Sequence, residues 1–142
     1  MKKAAFRYIE AELYDYHQTK QILEELKLEI IEEGPQPDLL DLGTPRSKNK
    51  ITNPTLSKSI KLITNKRITR LAETVKAVDK VLIRLPEEKR KLLQLKYWDG
   101  RWSDAGVAEQ LNVSLATYYR WRKEIVVAVG IELGIADALE AS

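Results

Sequence analysis

Between Ala4 and Glu33 the chain contains neither glycine nor proline, and its apolar residues fall at Phe6, Ile9, Leu13, Tyr16, Leu23, Leu26 and Ile30. Steps of three, four or seven residues collect these side chains on one face of an α-helix, whereas on a strand they would scatter to both faces. No stretch of the sequence alternates apolar and polar residues with period two. The expectation is therefore an all-α fold, with long N-terminal helices followed by a C-terminal helical bundle.

Gly34 and Pro35 end the first helix, so residues 1–33 read as one amphipathic helix suited to oligomerisation. Pro35, Pro37, Pro45 and Pro54 bracket a connector over residues 34–53, in which Leu39, Leu40 and Leu42 can dock. Asn53 can cap, and Pro54 can open, a second long helix. Its stripe is Leu56, Ile60, Ile63, Leu71, Val75, Val78 and Leu82. Pro86, Glu87 and Glu88 start a third helix, whose apolar set is Leu92, Leu93, Leu95, Tyr97 and Trp98 and which ends at Asp99 and Gly100. Long one-sided stripes need a partner, whether each other, the C-terminal part or a second subunit; a homodimer is expected, with an intramolecular hairpin as the open alternative. Residues 54–142 make up the remaining domain.

Charge is distributed unevenly. Residues 1–45 carry 5 basic and 10 acidic groups, residues 46–85 carry 11 and 2, residues 86–123 carry 8 and 5, and residues 124–142 carry 0 and 4. A basic middle suits a polyanion, or acidic helices packed beside it. With no cysteine, disulfides, thiolate metal sites and cysteine nucleophiles are excluded. The longest apolar run, Ile125–Ile131, is too short to span a bilayer, and the first residues form no signal-like apolar core. These features lead us to expect a cytoplasmic protein without a membrane partner. His17, the single histidine, has no neighbour at metal-ligand spacing and reads as a helix-surface residue. Glu24/Glu25 and Glu32/Glu33 read as solvated surface. No phosphate loop, nucleophile constellation or metal cluster can be assembled, so no enzyme, cofactor or metal is expected.

The densest information lies in Arg101–Ile125, RWSDAGVAEQLNVSLATYYRWRKEI. Ser103 can cap a helix of about eight residues, Asn112 tolerates a left-handed turn, and Ser114 can cap a second helix. Two helices joined by so short a turn, with Val113 pointing inward, have helix-turn-helix geometry. Ala108 falls where the helices approach most closely. Val107, Leu111, Val113, Tyr118 and Trp121 face the shared core. This leaves Leu115, Ala116, Tyr119, Arg120 and Lys123 outward, small residues first and long donors one turn later. Ser114, Thr117, Arg122 and Arg101 complete the expected DNA-contact set. Lys58, Lys61, Lys66, Arg67 and Arg70, on the basic middle helix, form a candidate second contact with phosphate.

The stretch LPEEKRKLLQLKYWDGRWSDAGVAEQLNVSLATYYRWRKEI resembles region 4 of bacterial sigma factors. There, a helix ending in an aromatic pair precedes the pattern S-x-x-x-hydrophobic-A-x-x-L-x-hydrophobic-S. Ser103, Val107, Ala108, Leu111, Val113, Ser114 and Thr117 match it, and Asn112 stands where that family often has a turn glycine. The whole chain, with its N-terminal AELYDYHQTKQILEELKLEI, is similar to phage late-gene transcriptional activators of the RinA/ArpU type. That resemblance implies a sequence-specific binder of double-stranded DNA that activates transcription of phage late genes, with host RNA polymerase as a partner. Two alternatives stay open. A phage small terminase subunit would recognise packaging DNA, although that family places its DNA-binding module first. A helical assembly protein would use its C-terminal helices only for packing.

Overall fold

The computed structural model describes the backbone of residues 1–32 and 54–141 and the side chains of residues 1–29 and 64–140. The connector 34–53, with Leu39, Leu40 and Leu42, lies outside the described residues, as do the side chains of Lys58 and Lys61. The described residues are all-α. In order they form α1 (Lys3–Tyr14), α2 (Tyr16–Glu32), α3 (Pro54–Arg84), α4 (Glu87–Leu93), a π-helical turn (Gln94–Asp99), α5 (Asp104–Gln110), α6 (Leu115–Glu132) and α7 (Ala136–Ala141). Among them, no helix is long and apolar enough to cross a membrane.

The N-terminal stripe is carried by two helices rather than one. Asp15 (φ −89°, ψ 0°) interrupts the helix while its N–H still reaches the Ala11 carbonyl at 3.0 Å. Aspartate is a poor residue for a helix interior. Tertiary contacts hold the two residues beyond it. Tyr16 is buried, stacks on Trp98 (centroids 5.5 Å apart) and hydrogen-bonds Asp79, while His17 sets its ring edge against Trp98 at 4.6 Å. Burial and the Asp79 carboxylate push the Tyr16 hydroxyl up to about 12 from its usual 10.0.

The chain divides into two compact units, residues 1–17 with 73–142, and residues 18–72. In the second, Thr19 and Leu23 are buried and Leu28 is exposed. Among the described residues, the first unit contains the larger core. Ile9 and Leu13 of α1, Val78 of α3, Leu92 and Leu93 of α4, Val107 of α5, Tyr118, Ile125, Val126 and Val129 of α6 and Ala138 of α7 are all fully buried. Closure of this core depends on Gly130. A Cβ added there would stand 2.6 Å from Ala138 Cβ and 2.7 Å from Ile9 Cδ1, so only glycine lets α1 and α7 both seat on α6.

The third helix also departs from the regular expectation. It starts after Pro86 and stops at Gly100 (φ 69°), but its second half widens into the π-helical turn. Three consecutive residues of this turn reach different partners. Lys96 pairs with Asp104 at 3.0 Å, the Tyr97 hydroxyl donates to Glu10 at 2.6 Å, and the Trp98 indole donates to the Leu13 carbonyl at 3.0 Å. The last of these satisfies a carbonyl that the end of α1 leaves without a helical partner. Irregular helical turns of this kind re-aim side chains that a regular helix would point along a different face.

Candidate nucleic-acid interface

Each local signal in the Ser103–Thr117 stretch has a counterpart in the backbone. Ser103 Oγ accepts the Gly106 N–H at 3.0 Å and opens α5. At the other end Asn112 adopts φ 56°, and the Val113 N–H returns to the Ala108 carbonyl at 3.1 Å, which closes the turn. Ser114 then caps α6, its Oγ accepting the Thr117 N–H at 3.1 Å and donating to Thr117 Oγ1 at 2.9 Å. Ala108 is 4% exposed, as expected for the closest approach of the two helices. Of the predicted core, Val107 and Tyr118 are fully buried, whereas Leu111, Val113 and Trp121 are only half-buried.

The angle between α5 and α6 is fixed by a polar contact as well as by packing. The Tyr118 hydroxyl donates to Asp104 Oδ1 at 2.5 Å, and Lys96 reaches the same oxygen. Burial penalises the charged Asp104, yet the Tyr118 and Lys96 hydrogen bonds outweigh it and hold the carboxyl below the usual carboxylate range. Burial and the same carboxylate push the Tyr118 hydroxyl well above the ordinary tyrosine value.

Around α6, Leu115, Ala116, Tyr119, Arg120 and Lys123 are all exposed, as expected. Ser114 is exposed and Thr117 half-buried, with their side chains engaged in the cap. Arg101 is exposed, with its guanidinium 5.5 Å from the Trp102 ring. Arg122 does not join this face. Its Nε and Nη2 each lie 3.0 Å from a Glu10 oxygen, and its guanidinium lies 5.1 Å from the Phe6 ring. The physical reason is helical phase. Arg122 comes four residues after Tyr118 and three before Ile125, which puts it on the buried side of α6. Lys66 and Arg67 are exposed on α3, and Arg70 is already partnered.

Two features escape a reading of the sequence alone. Glu10 receives both Arg122 and Tyr97 and so ties α1 to α6 and to the π-helical turn. A signal for it exists: Glu10 sits four residues after Phe6 and three before Leu13, a carboxylate on an apolar stripe, and Arg122 is its cationic counterpart on another. The second feature is the Lys89–Glu124 ion pair at 2.6 Å, which joins α4 to α6 and has no local sequence signal.

Residues 8–129 match a protein family described as a protein of unknown function, DUF722. The chain belongs to that family. No curated protein and no solved structure matches it. The family's span takes in the whole of the capped turn, both ends of the Glu10–Arg122 link and most of α6. Among the described residues no group of three or more histidine or acidic side chains is placed to hold a metal ion.

Proposed function

We propose that this protein binds double-stranded DNA in a sequence-specific way through the outward face of α6, with α5 and α6 acting as a helix-turn-helix. One observation carries the reading, the division of basic residues around α6. Arg122 is turned inward onto Glu10, while Arg120 and Lys123 share the exposed face with Leu115, Ala116 and Tyr119 and enter no ion pair among the described residues. Long exposed cations one turn beyond Ala116 suit guanine edges and phosphates of a major groove. The capped start of α6 adds backbone N–H groups suited to a phosphate oxygen.

The finer reading rests on the resemblance to RinA/ArpU-type activators. The protein is a phage late-gene regulator that acts as a homodimer in the host cytoplasm and recruits RNA polymerase to a nearby promoter. Lys66 and Arg67, with Lys58 and Lys61, add a phosphate contact that contributes affinity without base identity. The test begins with duplexes selected from a randomised library by the purified full chain. Arg120→Ala should weaken binding to the selected duplex by about 1–3 kcal/mol, with folding stability shifted by less than about 0.5 kcal/mol. If Arg120→Ala binds that duplex as the parent does, the assigned face is wrong.

A further inference from the structure

The outward surface of α6 consists of two adjacent rows at helical spacing. One runs Leu115, Tyr119, Lys123 and the other Ala116, Arg120, Glu124, and all six side chains are exposed. The first row begins with two large apolar groups facing water, Leu115 at 42% and Tyr119 at 44% exposure. Tyr119 is braced there. Its ring meets that of Tyr118 edge-on at 5.3 Å, and Tyr118 is fully buried with its hydroxyl fixed on Asp104. The second row ends in an acid that would repel a polyanion, but Lys89 holds that Glu124 carboxylate at 2.6 Å. The pairing occupies Glu124 Oε2 and offsets the charge that would repel phosphate.

An apolar pair in the first two turns of α6, flanked by Arg120 and Lys123, which enter no ion pair among the described residues, suits a ligand that is apolar at one point and anionic around it. Among base edges in the major groove, the thymine C5-methyl is the apolar group. We propose that Leu115 and Tyr119 form a receptor for thymine methyl groups, beside a guanine contact made by Arg120. This rests on the DNA-binding reading above and deepens it, since it states which bases the helix reads. The preferred site then contains thymine within a step or two of a guanine.

Deoxyuracil decides the matter, because it keeps every hydrogen-bonding atom of thymine and removes only the methyl. The selected duplex is synthesised with thymine or with uracil, and affinity is measured by fluorescence anisotropy with the full chain. Each contacted methyl should account for about a fourfold difference, and two for about fifteenfold. Leu115→Ala and Tyr119→Ala should each narrow the difference between the two duplexes, and the double variant should bind them almost equally. Equal parental affinity for both duplexes overturns the thymine receptor while leaving DNA binding intact, and so does a selected site without thymine. Absence of any preference over a scrambled duplex overturns the DNA-binding reading and the receptor with it. The parental comparison stands even if either variant folds poorly.

Discussion

Replacing Glu10 by Gln tests whether α1 is a working part of the unit that carries α6. Glu10 accepts three hydrogen bonds, from the Tyr97 hydroxyl at 2.6 Å and from Arg122 Nε and Nη2 at 3.0 Å each. An amide presents one oxygen and one donor, so at least one of these bonds becomes a donor facing a donor. Arg122, whose side chain is only 22% exposed, also loses its counter-charge. Leaving one partner of a buried pair alone costs about 3–5 kcal/mol, and hydrogen bonds to charged groups contribute about 1.5–3 kcal/mol each. Residual solvent around the guanidinium lowers the first figure, so we expect a loss of about 2–3 kcal/mol. For a chain of this size that lowers Tm by roughly 5–10 °C, read by circular dichroism at 222 nm. Arg84→Ala is the control. Its pair with Glu132 is 2.8 Å long but 68% exposed on the arginine side, and such pairs contribute at most about 1 kcal/mol. If Glu10→Gln melts within a degree or two of the parent, or no lower than Arg84→Ala, the network does not hold α1 in place.

Other expectations concern backbone and pH. Gly130→Ala should destabilise by about 1–2 kcal/mol in a denaturant titration, because overpacking against Ala138 Cβ exceeds the helix gain of roughly 1 kcal/mol; equal or greater stability would refute that close approach. Asn112→Gly should match or slightly exceed parental stability, while Asn112→Ala should lose about 1 kcal/mol or more, since φ 56° suits glycine and penalises alanine. Tyr16 has a raised pKa in the folded state, so its contribution is complete below pH 10.0 and disappears as pH rises towards about 12; Tyr16→Phe should flatten melting temperature against pH in that window.

Legibility tracks the range of the interactions. Ser103, Asn112 and Ser114 act on backbone groups within a few residues, and all three can be located from the sequence. The division of Tyr118 inward and Tyr119 outward comes from phase alone. Weighing the charge of Arg122 above its phase misplaces it, although both it and Glu10 lie on apolar stripes. The widening at Gln94–Asp99 is not legible, and the break at Asp15 is only hinted at by aspartate's poor helix propensity. Both depend on what Tyr16, Tyr97 and Trp98 meet far along the chain, and local propensity carries no trace of those contacts.

The union of α1 with α6 also has a consequence for biosynthesis. Glu10 leaves the ribosome 112 residues before Arg122. At roughly 5–20 residues per second, α1 waits about 6–22 s for its partner to be made. During that interval Ile9 and Leu13 have no α6 to cover them, and a helix of 12 residues is marginal alone. The nascent segment is therefore a natural client for chaperones. Synonymous codons that slow translation of the middle of the gene would lengthen that wait without altering a single residue.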